Sequence, residues 1–488
     1  MSAKYFERVE HIEKLLLIDN LVIDTTALRS ACLYGQLLLL LFEHCFINTF
    51  VLYRNPDQFR PLCWRLFLHF LPKERQQWTD VLKKQRSYYE GLVKNLSADV
   101  TDHSAIPIDD HPLNSPSSSG GRPAQNSEWT NFFKDNEVLL QIDKDVRRLR
   151  PEIDFFQRHT AYPKKSFASV DLGVRIHSEN LSSDVHEIRF SNKSFIQSNH
   201  SSPSTSSNSL CSTSSNLNPK TNPNEITETE ELHWQASGRT TTFIFAKLNS
   251  GVKYVQGMNE IIGPIYYVFA TDPDKEWAEH AEADTFYCFQ NLMSEIKDNF
   301  IRTLDSSDCG IEAVLSRFYE HFEQLDPSLY KHLVHDLCIR PQFYAFRWIS
   351  LLLSQEFSLP DVIAVWDTVF SSLNRLESVE YLCLSMIQHI RKELMNGDFS
   401  HNVRLLQNFP EVDVSLLVIH SLELMENGRQ SSYTSLNGST TNKPEGMDRL
   451  VPAKNYLKSR FSSLMNKTRE QVVKYTTSSS HISSDTKD

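Results

Sequence analysis

Two short segments carry side chains that could do chemistry without a nucleophile. The first reads Gln141-Ile142-Asp143-Lys144-Asp145-Val146-Arg147-Arg148-Leu149-Arg150. On a helix, Ile142, Val146 and Leu149 share the inward face, while Asp145 and Arg148 stand three residues apart and can pair. An arginine held by a carboxylate on a rigid helix is aimed in advance, as a group that stabilises developing negative charge should be. The same spacing also fits a solvated ion pair with no further role. The second segment reads Ser250-Gly251-Val252-Lys253-Tyr254-Val255-Gln256-Gly257-Met258-Asn259-Glu260. Here polar Gln256 and Asn259 sit among Tyr254, Val255, Met258 and Ile261, and Gly257 permits a close backbone approach. An amide near a turn can orient a water or touch a partner's backbone, and it can equally be a satisfied core amide.

Other chemistries leave no trace. The sequence has no G-x-x-x-x-G-K-[ST], G-x-S-x-G, H-E-x-x-H or EF-hand pattern. Its 18 histidines are scattered, and its 8 cysteines show no C-x-x-C or metal-type spacing. We expect no nucleotide, metal or cofactor of its own, and a reducing, cytoplasmic setting. A net charge of −11 argues against general nucleic-acid binding.

The elements that must position these segments are helical. Gly is only 14 of 488 residues, which disfavours turn-dense β folds, and apolar residues at 40% suffice for a large core. At roughly 150 residues per domain, the length suits about three domains or one large one with extensions. Apolar spacing predicts helices over 54–100, from Trp129 to about Gln157, and from Leu232 to about Leu424, with a Pro/Ser/Gly loop at 101–128. Sustained strand-like alternation is missing, so the fold class is all-α. Between Ser194 and Asn216, 11 of 23 residues are serine, too few apolar groups to offset chain entropy, so 166–230 is expected to be a disordered Ser/Asn-rich insertion. Residues 37–53 form an apolar run interrupted by Glu43 and His44, short for a bilayer and costly at its charge, so a buried helix is a better reading than a membrane span. A polar tail follows from 416. Within it, 450–475 has the pattern of a basic amphipathic helix, suited to an anionic membrane surface, a partner, or the chain's own domain.

In combination the segments resemble the TBC domain of Rab GTPase-activating proteins, which carries R-x-x-x-W, I-x-x-D-x-x-R and Y-x-Q in that order. Here these read Arg60 to Trp64, Ile142 through Asp145 to Arg148, and Tyr254 to Gln256. Later segments fit as well: Phe346-Arg347-Trp348, Gln355-Glu356-Phe357 and Val365-Trp366-Asp367. The resemblance implies an all-helical domain over 56–415, interrupted at 166–230 and entered through N-terminal helices in 1–34. It also implies a GTP-bound Rab as partner, with GTP and Mg²⁺ carried by that partner, and a role in vesicle trafficking. Arg148 would then be the arginine finger and Gln256 the glutamine finger. Asp145, Tyr254, Ile142, Gly257 and Asn259 would support them, and Arg60 and Trp64 would be scaffold. A module that binds a Rab without accelerating hydrolysis stays open, as does peripheral attachment to endomembranes.

Three departures stand out. Leu149 stands where many members have Thr, which removes a hydroxyl and leaves the charge. The Ser-rich insertion falls between the two fingers in sequence. The family's short Gly-Ile/Val-Pro turn is replaced by a gap of about twenty residues between Gly35 and Pro56, which holds the apolar run. Residues 35–55 are therefore read as an atypical insertion, such as a translated intron, with a membrane segment as the alternative.

Overall fold

Helix after helix, without an intervening strand, is what the apolar spacing builds. In a computed structural model the described residues are 3–16, 21–42, 58–101, 128–158, 172, 233–301 and 310–436. Among them there is no strand, and the β-type pairing is one bridge between Val22 and Glu74. The longer helices are α1 (Ala3–Leu15), α2 (Thr25–Phe42), α3 (Arg60–Phe67), α4 (Trp78–Thr101), α5 (Glu128–Arg148), α6 (His233–Leu248), α7 (Met258–Ala270), α8 (Ala281–Ile296), α9 (Ile311–Leu325), α10 (Leu359–Ser371), α11 (Arg375–His389), α12 (Phe399–Gln407) and α13 (Val414–Leu436). The chain divides into one unit of Met1–Lys84 with Tyr287–Asp488 and another of Gln85–Phe286.

In the first unit α3 and α10 meet around a buried carboxylate. Pro61 in the first turn suits a helix start, where its missing N–H costs nothing. Asp367 accepts from Arg60 Nε (3.2 Å to each oxygen) and from Trp64 Nε1 (2.8 Å). All three are nearly inaccessible, and Trp64 packs edge-on against Phe370 at 4.9 Å. The R-x-x-x-W motif thus places two donors one helical turn apart on one acceptor, a structural role. Arg29 of α2 closes the far end of α10, donating to the carbonyls of Phe370 (2.7 Å) and Ser372 (3.2 Å), groups that a helix C-terminus leaves open. Burial and the neighbouring Arg375 lower the Arg29 pKa to about 10.

Single-sided helices surround this centre. α9 buries Ile311, Val314, Leu315, Phe318 and Phe322, one face of a 3.6-residue period. Asn374 and Asp398 cap α11 and α12, accepting from the N–H of Glu377 (3.2 Å) and His401 (2.8 Å). Arg347 and Glu356, from two of the segments singled out in the sequence, form a bidentate pair at 2.8 and 2.9 Å.

Three stretches delimited from the sequence overlap helices or lie outside the described residues. The insertion placed at 35–55 begins inside α2, which runs to Phe42, because the Leu37–Leu41 stretch has high helix propensity; residues 43–57 lie outside the described residues. The tail drawn from 416 begins inside α13, which packs on α11 and buries Leu417, Val418, Leu422 and Met425. The Ser-rich stretch 166–230, save Leu172, and the basic segment 450–475 also lie outside the described residues. No helix among the described residues is long and apolar enough to cross a membrane.

Two outcomes test this unit. Asp367→Asn removes the charge from the buried acceptor shared by Arg60 and Trp64 and should destabilise the fold by roughly 3–5 kcal/mol, read as a lowered denaturation midpoint. Burial, and then Glu426, push Glu423 on α13 up to about 7. A carboxyl whose folded pKa is raised contributes stability below its unfolded pKa, and that contribution fades as pH rises through about 7. Glu423→Gln should therefore raise the melting temperature at pH 8 by roughly 2–4 °C and change it little at pH 4.5.

Candidate functional site

Arg148 and Gln256 belong to the same unit, Gln85–Phe286, although 107 positions separate them. Arg148 ends α5. Ile142, Val146 and Leu149 are buried to 0, 0 and 1% exposure, so they fix that helix by its inner face. Gln256 stands just before α7, whose N-cap is Gly257 at φ 102°. That left-handed conformation is open to glycine and strained for other residues, so the turn that lifts Gln256 outward depends on the residue after it. Both Arg148 and Gln256 are exposed. Among the described residues neither side chain has a hydrogen bond or ion pair.

The neighbouring arginine behaves differently. Arg147 Nε donates to Asp143 Oδ2 at 2.9 Å, and fully buried Arg239 donates twice to Asp143 Oδ1, at 3.0 and 2.7 Å. Of two adjacent arginines, one is tied down and the other is left unpaired. The expected Asp145–Arg148 pair is not formed; the Asp145 carboxylate accepts from the Tyr254 hydroxyl. Asp143 and Arg147, four residues apart, take the intrahelical pairing, and Asp143 gains Arg239 from α6 as well.

The Tyr254–Asp145 bond joins the segment bearing Arg148 to the segment bearing Gln256. Burial, then the hydrogen bond to Asp145, push the phenol far above its ordinary pKa, so it stays protonated and donates. Behind it, Asn259 Nδ2 reaches Tyr254 Oη at 3.5 Å, and Thr242 Oγ1 of α6 donates to Asn259 Oδ1 at 2.9 Å. Asn259 and Thr242 are 2% and 0% exposed. A chain of polar groups thus runs from the core of α6 through the start of α7 to α5.

Close packing sets the depth of α5. A β-carbon added at Gly263 of α7 would lie 2.3 Å from Leu149 Cδ2, so the absent side chain is the seat of Leu149. Trp234 Nε1 donates to the Val146 carbonyl at 3.1 Å. Thr242, Asp143, Arg239, Trp234 and Gly263 were not among the residues singled out in the sequence. The Asp143–Arg147 spacing carried a signal there, whereas the other contacts depend on which helix lies beside which. Arg60 and Trp64 belong to the other unit and hold the scaffold described above.

Comparison with known proteins identifies the family and the fold. The Rab-GTPase-TBC domain profile matches residues 220–395, which include Gln256 and begin after Arg148. Human TBC1 domain family member 13 is 45% identical over 379 residues, covering 75% of this chain and 90% of the relative. The chain belongs to the RabGAP-TBC family. A TBC domain-containing protein of Schizosaccharomyces pombe is 30% identical over 86% of this chain and 75% of its own length. The solved Ypt/Rab-GAP domain of Gyp1p shares the fold, with a TM-score of 0.54 at 18% identity over 87% of this chain and 99% of that domain. The all-helical architecture is thus that of the family.

Loss of the central bond should be measurable without a partner. Tyr254→Phe removes a donor from a partly buried carboxylate and should cost about 1–2 kcal/mol in unfolding free energy. Gly257→Ala forces a side chain into the left-handed region and should cost about 1–3 kcal/mol.

Proposed function

We propose that this chain is a GTPase-activating protein for a Rab-family GTPase, and that it supplies Arg148 and Gln256 to the partner's nucleotide. The observation that carries the reading is the pair of exposed, unpaired side chains held on elements joined by the Tyr254–Asp145 bond. Family membership supports the Rab as partner and vesicle trafficking as the setting.

The chemistry asks little beyond position and charge. Phosphoryl transfer spreads negative charge over the γ-phosphoryl oxygens and the leaving oxygen, and needs no protein nucleophile. Arg148 neutralises charge on the β–γ bridge and the γ-phosphate. Gln256 orients the attacking water, its amide accepting from the water and donating to a phosphate oxygen. GTP and Mg²⁺ are held by the Rab. Being unpaired, Arg148 leaves no protein carboxylate when it engages phosphate, so its charge is available in the transition state at low reorganisation cost. Tyr254 and Asp145 position the two groups, and Ile142, Gly257 and Asn259 hold the local backbone.

Single-turnover GTP hydrolysis across a panel of Rabs tests this. At least one Rab should be accelerated, Arg148→Ala should lower that rate by roughly 10³-fold or more, and Gln256→Ala should lower it as well. Acceleration of no Rab, with retained Rab binding, would favour a binding module. Acceleration indifferent to both substitutions would overturn the finger assignment.

A further inference from the structure

Arg148 ends its helix, and helix ends leave their last carbonyl groups without intrahelical donors. Something must satisfy them without competing for the guanidinium. The chain turns back immediately: Arg150 takes φ 44°, Pro151 follows, and Ile153 N–H donates to the Arg150 carbonyl at 3.0 Å. A single helical turn, Asp154–Gln157, then lies against the end of α5. Phe155 and Phe156 anchor that turn, stacking edge-on against Tyr267 at 4.9 Å and Trp234 at 5.2 Å respectively. At its end, Gln157 Nε2 donates to the Leu149 carbonyl at 2.8 Å and to the Arg147 carbonyl at 3.3 Å. An amide nitrogen has two hydrogens, so one side chain can serve both acceptors.

We propose that Gln157 is a positioning residue for Arg148, its carboxamide clamping the backbone on both sides of that residue. The inference rests on the reading of Arg148 as the charge-stabilising group. With Trp234 Nε1 on the Val146 carbonyl and Leu149 seated at Gly263, the peptide groups around Arg148 are fixed while its side chain stays unpaired. The backbone is held so that the flexible guanidinium alone remains to be ordered when it meets phosphate. The donor is neutral, which matters. A carboxylate at 157 would repel the carbonyls and offer Arg148 a competing partner.

The test uses the full chain and the Rab it accelerates most, under single-turnover conditions with the activator varied. Gln157→Met keeps length and volume and removes the donor. It should lower the maximal rate about tenfold, leave the half-saturating concentration within twofold, and hardly move the melting temperature. Gln157→Lys restores a donor suited to C-terminal carbonyls and should recover most of the rate, and Gln157→Glu should fall below Gln157→Met. In an Arg148→Ala background, Gln157→Met should have no further effect, because its influence passes through the missing group. A wild-type rate for Gln157→Met, or an equal loss with and without Arg148, would overturn the clamp. A full rate for Arg148→Ala would overturn the finger reading itself and the clamp with it, so the two failures are distinguishable.

Discussion

A phenol donating to a carboxylate, Tyr254 to Asp145, is the contact on which the candidate site depends. It is the direct side-chain bond between the helix that ends in Arg148 and the turn that presents Gln256. Because burial and the carboxylate keep the phenol protonated, the bond does not titrate away near neutral pH. Its direction is fixed, since a carboxylate can only accept. Asp145 accepts from Tyr254 while Arg148 stays unpaired, so the same helix end carries both the tie and an available guanidinium.

The same logic explains how charge is distributed along the end of α5. Asp143 absorbs two guanidinium groups, one from its own helix and one from the buried Arg239. A fully buried arginine left without a carboxylate would be severely destabilising, so Asp143 is committed to structure. Asp145 is committed to Tyr254. Among the described residues no carboxylate pairs with Arg148, which stays exposed. The R-x-x-x-W motif in the other unit has the complementary design, in which Arg60 Nε and Trp64 Nε1 both donate to Asp367. One motif is spent on stability and the others leave a group unspent.

How far the sequence anticipates this depends on whether a contact is local. The glycine before α7, read as allowing a close backbone approach, proves to take a left-handed turn, whereas the inward face of Ile142, Val146 and Leu149 follows from helical spacing. The partner of Asp145 does not: spacing offers Arg148 at three residues, and only the approach of a segment 109 positions away brings the tyrosine that wins. Gln157 looked like the end of a helix rather than the cap of another, since its acceptors lie eight and ten positions back. Gly263 was invisible because a missing side chain gives no periodic signal. At the chain's two flanks, α2 runs on through the leucine-rich stretch and α13 packs on α11, both within segments that composition had set apart.

Between Arg158 and His233 the sequence inserts a long Ser-rich stretch, yet both ends of the polar chain from Thr242 to Asp145 lie in one unit. Loop-closure entropy grows only logarithmically, about 0.6 kcal/mol for each doubling of length, so a long insertion costs little more than a short one. What the site requires is that the two ends be anchored independently of what joins them. They are: the Asp154–Gln157 turn is pinned by Phe155 and Phe156 against aromatic groups of α6 and α7, and α6 opens with His233 and Trp234, which pack on those same two rings. The described residues on either side of the stretch, up to Arg158 and from His233, are therefore held by adjoining aromatic contacts. A site arranged in this way can tolerate length variation between its two candidate segments while keeping the contact between Tyr254 and Asp145.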